Sequence, residues 1–186
     1  KTFRDISGHW ARSDIEIMAA RHVASGFEDN SFNPDGNITR AEFAAFLVRA
    51  LGLKETSPEK TFSDIRDGAW YEEAVYKAHK AGIISGRSSN AFAPDERISR
   101  EEMASMAMRA YSHVTGEKLE EMRVTAQVRF NDEGAASGWA RKNMILADAN
   151  GLISGFPDGS FRPKDNSTRA QAISVIKRLM AKAGLM

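Results

Sequence analysis

Three arginines occupy positions that a helix does not favour. Arg40, Arg100 and Arg169 sit in the phrases Thr39-Arg40-Ala41-Glu42, Ser99-Arg100-Glu101-Glu102 and Thr168-Arg169-Ala170-Gln171. A hydroxyl followed three residues later by Glu or Gln is a capping box, in which each side chain satisfies a backbone N–H at a helix start. The arginine then falls in the first turn, where the helix dipole disfavours a cation. A guanidinium beside helix N–H groups suits a carboxylate or a phosphate. The three phrases therefore predict three related anion-facing sites. The structural alternative is a solvated arginine, or an ion pair between copies to Asp35, Asp95 or Asp165.

Other chemistries find less support. His9, His22, His79 and His113 are not at equivalent positions and form no His-Glu-x-x-His pattern. There is no glycine-rich phosphate loop and no Gly-x-Ser-x-Gly elbow. The acidic residues that stand out recur once per copy, which reads as architecture or multivalent binding, so no catalytic residue is assigned. The acidic loop from Glu28 to Asn37 fails the calcium-loop template: counted from Asp29, the sixth position is Pro34 and the twelfth is Arg40. No metal or cofactor is expected.

The arginines belong to a longer repeat. Trp10, Trp70 and Trp139 each precede an alanine-rich stretch. Ser25-Gly26, Ser85-Gly86 and Ser154-Gly155 follow, then Phe32-x-Pro34, Phe92-x-Pro94 and Phe161-x-Pro163. From the tryptophan to the capping hydroxyl is 29 residues in every copy. Each copy opens with Phe-x-Asp (Phe3, Phe62, Phe130), and the step from this Phe to the Trp grows from 7 to 8 to 9 residues, as a loop allows. Asp5, Asp64 and Asp132 are expected to cap or turn the chain.

Each copy reads as helix, loop, helix. Gly82 and Gly151 stand where a left-handed cap ends the first helix, with His22 in the same place in copy one. The second helices carry apolar stripes (Phe43, Phe46, Leu47, Ala50; Met103, Met106, Ala107, Ala110; Ala172, Val175, Ile176, Leu179). Ile38 with Phe43 and Ile98 with Met103 form hydrophobic staples, whereas Ser167 breaks the pattern. One copy buries too little surface to stand alone, so the expected fold is all-α, with three units closing about a pseudo-threefold axis and the second helices in the middle. The repeats are placed at 1–53, 62–112 and 130–186. The link 54–61 is short and polar, and 113–129 is a longer one holding a short extra helix or an extended segment.

With 26 basic and 25 acidic side chains the net charge is near +1, which argues against nucleic-acid or membrane attraction by bulk charge. No apolar run approaches a membrane span. Cysteine is absent, which removes disulfide and thiolate chemistry. No signal peptide is recognised, so the chain is expected to be cytosolic, mature or part of something larger.

The combination of Phe-x-Asp, Trp-Ala, Gly-Ile-Ile-Ser-Gly (82–86), Gly-Leu-Ile-Ser-Gly (151–155), Phe-Pro-Asp-Gly-Ser-Phe-Arg-Pro (156–163) and Thr-Arg-Ala-Glu closely resembles the S-layer homology repeat, in three copies across nearly the whole chain. The resemblance implies a three-pronged spindle with a central three-helix bundle. It implies an extracellular module of the bacterial cell wall or S-layer, binding a secondary cell-wall polysaccharide that bears pyruvylated N-acetylmannosamine in grooves between repeats. A surface-layer lattice or a fused enzyme would lie outside this chain.

By position, the ligand contacts carried over are Arg40, Arg100 and Arg169. Gly26, Gly86 and Gly155 would let the backbone approach the sugar. Trp10, Trp70 and Trp139 would offer an aromatic face, although a repeated Trp at a helix start more often anchors a core. Copy two departs from the pattern at Glu101, where a carboxylate beside Arg100 is expected to compete for it and leave that site the weakest. Replacing Arg40 or Arg169 is expected to weaken binding while the fold survives. The reading from a different class is a helical-repeat module for protein–protein interaction or self-assembly.

Overall fold

The computed structural model describes residues 2–54, 61–123 and 130–186. Six α-helices account for the regular structure of these residues: α1 (Arg12–Ala20), α2 (Arg40–Leu51), α3 (Glu72–Lys80), α4 (Arg100–Thr115), α5 (Gly138–Ala149) and α6 (Arg169–Lys182), with a 3-10 turn at Glu133–Ala135. The fold is all-α. Helices α2, α4 and α6 pack on one another at the centre, as their apolar stripes require. The first helix of each repeat packs on the second helix of the repeat before it rather than on its own: α3 on α2, α5 on α4, and α1 on α6. The last contact closes the ring. It is reinforced by Asp14, which accepts from Ser174 Oγ at 2.7 Å and Lys177 Nζ at 2.6 Å.

All three capping boxes form as the sequence predicts. Thr39, Ser99 and Thr168 each accept from the backbone three residues on, and Glu42, Glu102 and Gln171 each reach back to the cap N–H. The first helices end on left-handed residues, His22, Gly82 and Gly151. The aspartates of Phe-x-Asp also act as expected. Asp5 accepts from the N–H of Phe32 and Asn33, Asp64 from Phe92 and Ala93, and Asp132 from Phe161 and Arg162, all at 2.7–2.9 Å. Although burial works against it, this N–H pair holds the Asp5 carboxyl below its ordinary value. The second residue of each N–H pair (Asn33, Ala93, Arg162) has positive φ, so the carboxylate holds a backbone turn that a non-glycine residue rarely adopts alone.

On the pseudo-threefold axis three backbone hydrogen bonds form a closed ring. Ile38 N–H donates to Ser167 O (3.0 Å), Ser167 N–H to Ile98 O (2.9 Å), and Ile98 N–H to Ile38 O (3.1 Å). The three side chains are fully buried, and the Ser167 hydroxyl has no hydrogen-bond partner among the described residues. A buried hydroxyl without a partner costs about 1–3 kcal/mol. Ser167→Ala is therefore expected to stabilise the fold by about 1 kcal/mol in urea unfolding, and a loss of stability would show that the hydroxyl has a role.

After the left-handed Gly116, residues 117–123 form no further helix, and Leu119 and Met122 lie partly buried against the core. The remainder of the expected linker segment, 124–129, lies outside the described residues, as do 55–60 of the first link.

Candidate functional site

The arginines of the three phrases are buried, at 4–5% exposure, and they join one repeat to the next. Arg40 donates from Nε to Phe92 O (2.9 Å), from Nη2 to Ser85 O (3.2 Å) and from Nη1 to Glu102 Oε1 (2.8 Å). Arg169 repeats this on Phe32 O (2.9 Å), Ser25 O (3.1 Å) and Glu42 Oε1 (2.7 Å). Arg100 reaches Phe161 O (2.7 Å) and Ser154 O (3.0 Å). Each guanidinium also stacks on the phenylalanine whose carbonyl it binds, with its central carbon 4.7–4.9 Å from the ring centroid.

This geometry revises the sequence reading in two respects. The inter-repeat ion pairs use Glu42 and Glu102, not Asp35, Asp95 or Asp165. The helix N-termini offer no free N–H groups to an anion either. The first two amides of each second helix bond to carbonyls of the next repeat's loop: Arg40 and Ala41 to Glu96 and Pro94, Arg100 and Glu101 to Asp165 and Pro163, Arg169 and Ala170 to Gly36 and Pro34. The third amide is held by the capping box.

Glu101 is also placed differently from the sequence expectation. Its carboxylate turns away from Arg100 and accepts from Ser137 N–H and Oγ (both 2.9 Å) and from Lys164 Nζ (2.5 Å). It thus holds the start of α5 in the next repeat, and no hydrogen bond joins it to Arg100.

Beside each arginine joint lies a groove. The Arg40 groove, about 470 Å³, is walled by Ser85, Gly86, Arg87, Glu102 and Arg109, with Trp139 across it. The Arg169 groove, about 190 Å³, has Ser25, Gly26, Phe27, Glu42 and Arg49, with Trp70. The Arg100 groove, about 200 Å³, has Ser154, Phe156, Gln171, Ser174 and Arg178, with Trp10. Each groove therefore takes its buried arginine from one repeat, its wall from the next and its tryptophan from the third. The tryptophans are 64%, 62% and 56% exposed, so the expectation that they anchor a core is overturned. Tyr71 and Ala140, next in sequence to Trp70 and Trp139, fill buried places instead.

The glycines are required by packing. A Cβ on Gly26 would lie 2.3 Å from Ser31 O, one on Gly86 2.3 Å from Ser88 O, and one on Gly155 2.5 Å from the Phe130 ring. None of the three has the positive φ that favours glycine, so space and not backbone conformation fixes the residue type.

A second set of arginines was missed from the sequence: Arg49, Arg109 and Arg178, each nine residues beyond the first arginine and each lining its groove. Recurrence at one position in all three copies was the available signal. Arg109 donates to Ser85 Oγ at 3.0 Å, and burial lowers its pKa. Each groove thus presents an exposed indole and at least two guanidinium groups, with Arg87 as a third in the Arg40 groove.

The described residues thus form a ring of three helical repeats with three grooves, each lined by arginines and an exposed indole. The chain belongs to the S-layer homology domain family, whose sequence model matches residues 2–44, 61–104 and 129–173. It is 42% identical to an amylopullulanase of Thermoanaerobacterium thermosulfurigenes over 99% of this chain and 10% of that protein. It is 41% identical to the exoglucanase XynX of Acetivibrio thermocellus over 98% of this chain and 16% of that protein. A cellulosome-anchoring protein of Acetivibrio thermocellus is 30% identical over 86% of this chain, which spans 36% of its length. In the two enzymes the similar region is thus a small part of a much longer protein.

Proposed function

We propose that this chain is a non-enzymatic, non-covalent anchor at the bacterial cell surface, and that its grooves hold a secondary cell-wall polysaccharide bearing pyruvylated N-acetylmannosamine. The observation that carries this reading is the threefold pairing of a more than half-exposed tryptophan with two arginines across a groove. An indole face suits the apolar face of a sugar ring, and a guanidinium suits the single carboxylate of a pyruvyl ketal. Gly26 and Gly86 line their grooves beside the serine carbonyls that fix the buried arginines, whereas Gly155 follows Ser154 without lining the Arg100 groove. Membership in a family that includes a cellulosome-anchoring protein supports the surface role. No helix among the described residues is long and apolar enough to cross a membrane. Several modest sites on one polymer raise avidity above that of any one.

Titration calorimetry with purified wall polymer, before and after removal of the pyruvyl groups, tests the proposal. Saturable binding that disappears with the pyruvate is expected. Trp139→Ala should weaken binding at its groove about tenfold, the scale of a central aromatic contact, with unfolding unchanged because the ring lies outside the core. Absence of binding to either polymer would reject the anchor reading and favour a protein-interaction or self-assembly module.

A further inference from the structure

In two of the three joints a single carboxylate performs two tasks. Glu42 Oε2 accepts from the Thr39 N–H (2.8 Å) and Oε1 from Arg169 (2.7 Å). Glu102 Oε2 accepts from Ser99 N–H (2.9 Å) and Oε1 from Arg40 (2.8 Å). In the third joint the residue is Gln171. Its one carbonyl oxygen is taken by Thr168 N–H at 3.1 Å, and its remaining polar group is an amide NH2, which donates and cannot accept from an arginine.

Arg100 consequently bonds through Nε and Nη2, while its Nη1 has no acceptor among the described residues. The side chain is only 5% exposed, and a charge withdrawn from water without a bonded counter-charge is costly. Asp165 and Asp132 attract it through space, but both Asp132 oxygens already accept from backbone N–H groups. Arg162 adds a further positive charge nearby. The groove beside Arg100 contains a second cation, Arg178, and no carboxylate among the described residues lines it; Glu101 faces α5 instead. The other two grooves each contain a glutamate that neutralises their buried arginine.

We infer that the Arg100 groove is the principal anion site of this chain, in which a ligand carboxylate takes the position at Nη1 that Glu42 and Glu102 fill in the other joints, with Arg178 as its second contact. This reverses the ranking expected from the sequence, which placed the weakest site here. The identity of the ligand rests on the proposed function; the location of the anion does not.

The three indole N–H resonances report the grooves separately by NMR: Trp10 for Arg100, Trp139 for Arg40 and Trp70 for Arg169. In a titration with the 4,6-pyruvate ketal of methyl N-acetylmannosaminide, the Trp10 signal is expected to saturate first. Gln171→Glu keeps the capping box and gives Arg100 an internal carboxylate. It should weaken the Trp10 response by about tenfold or more, leave Trp70 and Trp139 unchanged, and leave the melting temperature equal or higher. Glu42→Gln, the converse change, should strengthen the Trp70 response. Saturation of Trp10 last, or a Trp10 titration indifferent to Gln171→Glu, overturns the inference. If the sugar moves no indole signal, the glycan reading fails by itself. Sodium pyruvate then decides the anion site: a Trp10 shift that Gln171→Glu removes upholds it, and no shift rejects it.

Discussion

Arg40→Ala is expected to destabilise the fold by about 3 kcal/mol, at the lower end of what removing one partner from a buried ion pair costs. Three acceptors lose their donor together: the carbonyls of Phe92 and Ser85 and the carboxylate of Glu102. Glu102 is 12% exposed and keeps Arg87 as a neighbour, which places the cost at the lower end of that range. Arg169→Ala should behave similarly, softened by the greater exposure of Glu42 at 21%. Arg100→Ala should cost least, because it leaves no carboxylate behind. Urea unfolding followed by circular dichroism gives the order. Wild-type stability in Arg40→Ala would mean that the joint contributes nothing to the ring. The result also bears on binding assays, since a lost affinity in Arg40→Ala would report a damaged groove as readily as a lost contact.

Gly86→Ala is the other large effect expected. The added methyl would lie 2.3 Å from Ser88 O, 2.6 Å from Ala91 O and 2.8 Å from the Phe62 ring. Two of these neighbours are backbone atoms of a short loop, which cannot rotate aside as a side-chain tip can. A cost of about 3 kcal/mol is expected, at the upper end for overpacking. The shift should also displace the neighbouring Ser85 carbonyl that holds Arg40, so binding in the Arg40 groove should fall with stability. Gly155→Ala is the milder control, since its nearest neighbour is the Phe130 ring. Equal stability of Gly86→Ala and wild type would show that the loop yields.

Local features were legible in the sequence to the extent that their partners are near in the chain. The capping boxes, the left-handed residues at His22, Gly82 and Gly151, and the stripes of α2, α4 and α6 all depend on residues three to seven positions apart. The arginine partners were not legible in the same way. Arg40 binds groups 45, 52 and 62 residues away, and nothing in its own repeat names them. Glu101 misled for a related reason: adjacency to Arg100 in sequence suggested competition, but successive residues on a helix point to different faces. The tryptophans were ambiguous because an indole at a helix start serves a core or a groove equally well by type. The neighbour that enters the core is decided by how the next repeat packs. Arg49, Arg109 and Arg178 were visible as a recurrence, but they fall between apolar stripe positions and read as an ordinary solvated helix face.

The joints between repeats are head-to-tail, and such an interface either closes on itself or continues without end. Here it closes at three, through α1 on α6 and Arg169 on Glu42. The functional unit is therefore indivisible. A chain shortened by one repeat does not retain two grooves of the three. It retains none complete, because every groove loses its buried arginine, its wall or its tryptophan. Within a single chain, three repeats are therefore the smallest number that completes even one groove.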